Sequence, residues 1–210
     1  GSSVEALDWT KEAEKKTLEG FELIQSKNRE DSKYHLPPDF ILNNIGWAWI
    51  QKGENEKGLK YVEEALKINL DHDTLDSKAV ALFNLKRYAE SKECYEKIFE
   101  LTENEQDMVW IGTCLKEMGL KEENKSKKQK YYEDGIKIFN LILEKNAQHS
   151  DSWYYKGIIN WNLKKYNDAK KCQIEAIKIN PADPYYWQEL GDIANKQGNT
   201  DQAIIYFNKS

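Results

Sequence analysis

Apolar and small positions recur along this chain at helical spacing, in blocks separated by short polar breaks. One small series falls at Gly46, Ala79, Gly112, Gly157 and Gly191, and a second at Gly58, Ser91, Gly135, Ala169 and Ala203. The two members of a pair lie 12 residues apart in four cases and 23 apart in the third. Antiparallel helices approach closely only where the facing side chains are small, so each pair predicts one helical hairpin. Aromatics occupy reciprocal places. Tyr88, Tyr132 and Tyr166 open second helices, Tyr95, Phe139 and Phe207 sit four residues beyond the second small site, and Trp153 and Trp187 precede the first. The pattern predicts first helices over 39–51, 72–85, 105–118, 150–163 and 184–197, and second helices over 54–69, 87–102, 128–145, 166–179 and 200–210.

Upstream, Ala6, Ala13, Thr17, Phe21 and Ile24 share one stripe of an amphipathic helix within residues 4–27. It reads either as a cap on the first hairpin or as the second helix of a truncated sixth repeat. Pro37-Pro38 separates it from the array, because the residue before a proline disfavours the helical region. Gly1-Ser2-Ser3 reads as a tag remnant. The organisation is therefore residues 1–3, an N-terminal helix and linker over 4–38, and an array over 39–210. Its units run 39–71, 72–104, 105–149, 150–183 and 184–210.

The units also repeat as sequence. Phe83-Asn84-Leu85-Lys86-Arg87-Tyr88 is echoed by Trp161-Asn162-Leu163-Lys164-Lys165-Tyr166. Trp187-Gln188-Glu189-Leu190-Gly191 carries a W-x-x-L-G opening, Ala203 with Phe207 carries an A-x-x-x-F core, and Pro181 ends the preceding unit. On these motifs residues 39–210 resemble the tetratricopeptide repeat family, most closely in the last two copies. Val62 and Gln173 depart from it in the aromatic slot, Lys78 and Lys156 before the small site, and Asn55 and Thr200 at the tyrosine. The resemblance implies an all-α superhelix of helix-turn-helix repeats that acts as a protein-interaction scaffold, with first helices lining a concave side.

Helical periodicity around the small sites gives the expected groove lining. The first unit supplies Asn43, Trp47 and Ile50, and the second Asp76, Val80 and Phe83. The third supplies Val109, Trp110 and Thr113, the fourth Tyr154, Ile158 and Trp161, and the fifth Gln188, Asp192 and Asn195. Trp47 and Trp161 are open to two roles, ligand platform or wedge between helices, whereas Trp49 reads as core. Asn84 and Asn162 either hold a bound backbone by paired amide bonds or cap the first helix where it ends. Family modules that capture acidic carboxy-terminal tails use lysine with asparagine on these helices. The matching slots here hold Asn43 with Trp47, or Tyr154 with Ile158, which implies that this clamp is missing. Aromatics with acidic and amide groups suit a peptide or amphipathic helix bearing apolar anchors and basic residues.

The third unit holds 11 additional residues inside 119–131. Eleven residues make about three helical turns, so both helices can lengthen without rotating their buried faces out of phase. A disordered loop is the alternative. Lys125, Lys127, Lys128 and Lys130 there form either a solvated tip or a contact for an acidic partner.

Charge and chemistry narrow the function. With 31 basic and 36 acidic residues the net charge is −5, which argues against nucleic acid as the main partner. No apolar run approaches the ~20 residues of a membrane span. Cys94, Cys114 and Cys172 form no closely spaced pair and suit reduced, cytoplasmic thiols, while His35, His72 and His149 lack a second ligand at helical spacing. Neither metal nor cofactor is expected, and no phosphate loop, metalloprotease helix or nucleophile elbow points to an enzyme. Ile204, Ile205 and Phe207 lie on the last second helix, which predicts an exposed apolar end and self-association.

Overall fold

The computed structural model describes residues 37–210, and the amphipathic stripe within 4–27 lies outside the described residues. Ten helices and no strand occur among the described residues. They are α1 (Pro38–Gln51), α2 (Asn55–Ile68), α3 (His72–Asn84), α4 (Tyr88–Thr102), α5 (Glu105–Lys121), α6 (Lys125–Lys145), α7 (Ser150–Asn162), α8 (Tyr166–Ile179), α9 (Pro184–Lys196) and α10 (Thr200–Phe207). The fold class is all-α, and the chain divides into two compact units, Gly1–Cys94 and Tyr95–Ser210.

Local chemistry sets where the helices stop. Each hairpin turn leaves three residues between its helices. In four of the five turns the middle residue adopts the left-handed conformation: Gly53 (φ 87°), Lys86 (φ 64°), Lys164 (φ 61°) and Gly198 (φ 82°). The next amide then reaches back five residues, as Arg87 N–H does to Leu82 O at 2.9 Å and Lys165 N–H to Asn160 O at 2.9 Å. This is the Schellman closure, which satisfies carbonyls that the ending helix leaves open. Side-chain caps start several helices: Asp71 accepts from Thr74 N–H at 3.0 Å and Asn104 from Gln106 N–H at 3.0 Å.

In the first unit the paired small sites bring backbones into contact. A Cβ added at Gly58 would sit 2.6 Å from Gly46 O, and one at Gly46 would sit 2.5 Å from Val62 Cγ2. Ser91 takes the equivalent place in the next hairpin and donates its hydroxyl to Ala79 O at 2.8 Å. Ile41, Ile45 and Trp49 form a core cluster joined by Tyr61, so Trp49 is core.

In the second unit, rings fill the same interface. Phe139 faces Gly112 and Phe207 faces Gly191, each within 2.6 Å of where a Cβ would stand. Gln173 takes this slot opposite Gly157, fully buried. Two tryptophans make one repeated bond, Trp153 Nε1–H to Ala147 O at 3.0 Å and Trp187 Nε1–H to Pro181 O at 2.8 Å.

The additional residues of the third hairpin are helical. The helix α5 runs to Lys121, nine residues past Gly112, where the other first helices stop five past their small sites. The helix α6 starts ten residues before Gly135, where the other second helices start three before. All eleven thus enter helix, and the turn keeps three residues, with Asn124 capping α6 through Lys127 N–H at 3.1 Å. Gly119 makes this extension close-packed: a Cβ there would lie 2.5 Å from the Tyr132 ring. Of the two alternatives for this segment, the helical one holds.

Candidate functional site

Within the first unit, α1 and α3 enclose a cavity of about 470 Å³. Its α1 wall is Asp39, Phe40, Asn43, Asn44 and Trp47, and its other wall combines Asn69 and Asp71 with Asp73, Thr74, Asp76 and Ser77. Spacing of three and four residues puts Phe40, Asn43, Asn44 and Trp47 on one helix face. Phe40 is 48% and Trp47 38% exposed. The Oδ1 of Asn43 is out of solvent contact and accepts no hydrogen bond among the described residues. Asn69 Nδ2 donates to Asp39 Oδ2 at 3.0 Å, tying the α2–α3 connection to α1.

Three of the expected lining residues, Asn43, Trp47 and Asp76, therefore meet in this cavity. Ile50 does not. It is 3% exposed, and its Cγ1 stands 2.6 Å from where a Gly58 Cβ would be. Four residues after Gly46, it falls on the face that the small site turns toward its hairpin partner, so it is core and not groove. Val80 is half-buried outside the cavity, and Phe83 packs edge-on against Tyr88 with centroids 5.1 Å apart, closing the turn. Asn84 Nδ2 donates to Asn55 Oδ1 at 3.0 Å.

The first helices of the second unit, α5, α7 and α9, carry a different face. Trp110 stacks on Tyr95 at 5.5 Å with ring planes 7° apart. Tyr154 lies 5.2 Å from Tyr155 and 5.1 Å from Tyr186, whose hydroxyl donates to Asp151 Oδ1 at 2.9 Å. Burial, with Glu189 adding to it, pushes the Tyr154 hydroxyl far above its ordinary range. Burial also raises the Glu189 carboxyl, Asp192 adds to the rise, and Lys116 opposes it. Lys116 itself pairs with Glu117 at 2.6 Å and stands 5.4 Å from the Tyr155 ring centroid.

Among the other expected residues, Val109 and Thr113 are buried, and Ile158 is half-buried. Trp161 meets Tyr166 edge-on at 5.1 Å, the counterpart of the Phe83 contact. Asn162 Nδ2 donates to Ile158 O at 2.9 Å, one turn back in its own helix. Gln188, Asp192 and Asn195 are exposed on α9. Sequence reasoning missed Phe40 and Asn44, although they share the stripe of Asn43 and Trp47. It also missed Asn69, Asp71 and Asp73, which the connection before α3 brings in and no periodicity marks.

The three cysteines are buried and form no disulfide, and burial raises the Cys172 thiol. No group of three or more His, Cys, Asp or Glu able to hold a metal ion occurs among the described residues. His149 accepts from Ser152 N–H at 3.2 Å at the start of α7. No described helix is long and apolar enough to cross a membrane.

The sequence model of the tetratricopeptide repeat matches residues 41–72, 73–105, 150–183 and 184–210. The gap over 106–149 is the hairpin with the helical extension. The TPR repeat-containing protein MJ1428 of Methanocaldococcus jannaschii is 26% identical over 75% of the chain, which spans 28% of that protein's length. Human protein O-mannosyl-transferase TMTC3 is 26% identical over 64% of the chain and 14% of its own length. Among solved structures, TTC0263, a thermophilic TPR protein of Thermus thermophilus, superposes with a TM-score of 0.67 at 16% identity, over 81% of this chain and 89% of that one. MamA of Desulfovibrio magneticus RS-1 superposes with a TM-score of 0.65 at 17% identity, over 84% and 94%. These likenesses are of fold, a solenoid of helical hairpins that serves in general as a protein-interaction scaffold. With the repeat model matching more than half of its residues, the chain belongs to the tetratricopeptide repeat family.

Proposed function

We propose that this protein recruits a partner by taking an extended peptide or a helical segment on the exposed faces of its first helices, with no chemistry of its own. The observation that carries this reading is the α1–α3 cavity, which Trp47 and Phe40, both exposed, line beside polar groups. Exposed aromatics in a concave setting are the side chains that most often anchor such ligands. Three buried thiols outside any disulfide favour a reducing, cytoplasmic setting. Within a longer chain the array would serve as a recruiting arm.

Peptide-library selection on the full chain tests the proposal, followed by fluorescence anisotropy of the selected peptides. Binding should weaken at least tenfold, about 1.4 kcal/mol, in Trp47→Ala with helicity unchanged. Equal binding by parent and variant sinks the cavity as the working site. A second reading, self-association, is favoured by Ile204 and Ile205 on α10, 53% and 50% exposed. A sedimentation coefficient independent of concentration would count against it.

A further inference from the structure

We infer that a second cavity, formed within the second unit by α6, α7 and α8, is a binding site for an acidic side chain, aspartate or glutamate, carried by a peptide segment of a partner. The cavity holds about 530 Å³. Trp153, Lys156 and Asn160 line it from one face of α7, together with Cys172 of α8 and Ile136 of α6. It shares no residue with the α1–α3 cavity, so it stands or falls apart from the function proposed there.

Three residues past the small site, the other four hairpins place Trp49, Leu82, Leu115 and Ala194, all buried and apolar. The fourth hairpin places Asn160 there, 5% exposed. A core position that turns polar in one repeat costs stability unless the amide finds partners. Its Nδ2 finds them, donating to Lys156 O at 3.0 Å and meeting Cys172 Sγ at 3.9 Å, which fixes the orientation of the amide. Its Oδ1 accepts no hydrogen bond among the described residues, and it is not sealed from solvent as the side-chain oxygens of Asn43 and Gln173 are. A donor entering the cavity can reach it.

Lys156 supplies the charge. Lys78 holds the same place in the second hairpin, one residue before the small site, and pairs with Glu63 of the preceding hairpin at 3.0 Å. Glu63 lies five residues past Gly58, and the matching position five past Gly135 is Asn140. Lys156 accordingly forms no ion pair among the described residues. Its Nζ stands 4.9 Å from the Trp153 ring centroid instead, and its charge opposes the burial that raises the Cys172 thiol. Lys165 also lines the cavity without an ion pair among the described residues. The carboxylates of the lining are matched, Asp168 by Lys171 at 3.7 Å and Glu175 by Lys178 at 2.7 Å. A neighbouring hollow of about 520 Å³ shares Lys165, Asp168 and Lys171 and adds Lys164, which extends the basic side.

An acidic residue within a peptide fits this set. Its carboxylate takes charge-assisted bonds from Lys156 and Lys165, its methylenes lie on Trp153 and Ile136, and a backbone N–H meets Asn160 Oδ1. A basic residue would face two ammonium groups with no carboxylate to offset them.

The test is a ¹⁵N–¹H NMR titration of the full chain with two tripeptides, acetyl-Leu-Glu-Leu-amide and its neutral isostere acetyl-Leu-Gln-Leu-amide. The glutamate peptide should move the Trp153 indole and Asn160 side-chain amide signals. It should bind about threefold or more tightly than the glutamine peptide, the worth of two partly exposed charge pairs. Added salt should shrink that preference, and the double variant Lys156→Gln, Lys165→Gln should remove it. Asn160→Leu restores the apolar side chain that the other hairpins carry, and should weaken both peptides alike by removing the acceptor. Equal affinity for the two peptides at Trp153 would overturn the acidic specificity of the site. Shifts confined to Trp47, or no shifts at all, would overturn the site itself, the former leaving the α1–α3 cavity standing.

Discussion

The two units place very different side chains at the same repeat positions. Three and two residues before the small site, the first unit has Asn43 with Asn44 and Asp76 with Ser77. The second has Val109 with Trp110, Tyr154 with Tyr155, and Gln188 with Glu189. Short polar groups leave the space between α1 and α3 open at about 470 Å³. In the second unit Tyr154, Tyr155 and Tyr186 occupy one another's contact surface at centroid distances of 5.1–5.2 Å. The backbone repeat fixes where each position lies, and the side chain placed there decides whether the space beside it stays open or is filled. A repeat family can vary its binding sites in this way without disturbing the hairpins beneath.

The largest expected effects lie under those faces, in the slot four residues past the second small site. There the first unit uses Val62 against Gly46 and the second uses Phe139 against Gly112, both at 0% exposure. Phe139→Ala should lower the opening free energy of α6 amides by about 3–5 kcal/mol, the cost of a buried ring and the cavity it leaves. Val62→Ala should cost α2 about 2 kcal/mol, from two lost methyl groups and a smaller void. Native-state hydrogen exchange reads each element separately, which an array with local opening requires. Equal losses would show that the ring contributes no more than an aliphatic side chain, and the contrast between the units would not extend into their cores.

Gln173 stands in that slot as a third solution. Its Nε2 donates to Tyr154 O at a long 3.3 Å, and its buried Oε1 accepts nothing among the described residues. Gln173→Leu keeps similar volume, removes the unpaired acceptor and should stabilise α8 by about 1 kcal/mol. A loss of stability would instead mean that the amide bond to Tyr154 holds the second unit's aromatic face in place.

Much of this architecture was legible in the chain, and the reason is steric. Gly46, Gly58, Gly112, Gly157 and Gly191 sit where a Cβ would strike the partner helix, so their spacing reports the hairpins directly. The length of the extension was legible, but its conformation was not. Helix and loop use the same number of residues, and the choice turns on contacts such as that of Gly119 with Tyr132. On the groove, Asn43 and Trp47 followed from the helical period. Ile50 did not, because a step of four from Gly46 returns to the hairpin face. Asn69, Asp71 and Asp73 come from a connection, and only the folded turn brings them beside α1. The same limit applied to Asn84 and Asn162, whose partners, Asn55 and the Ile158 carbonyl, appear once the helix ends are placed.

The smallest expected effect separates the two faces by their response to pH. Glu189 occupies the slot that Asn44 fills in the first unit, and burial followed by Asp192 raises its carboxyl against the opposing pull of Lys116. A raised acid stays protonated longer in the folded chain than in the unfolded one. Its neutral form therefore carries no penalty at low pH, and stability is lost as pH rises from the unfolded pKa through the folded one. Glu189→Gln removes that titration. Measured by exchange in α9, the variant should match the parent below the ordinary carboxylate range and exceed it at pH 7, by less than the gain expected from Gln173→Leu. Lys116→Met in the parent background should widen the gap, since it removes the cation that favours the ionised carboxylate. A difference between Glu189→Gln and parent that stays constant across pH would mean that water screens this carboxylate. The second unit's face would then be as open as the first's.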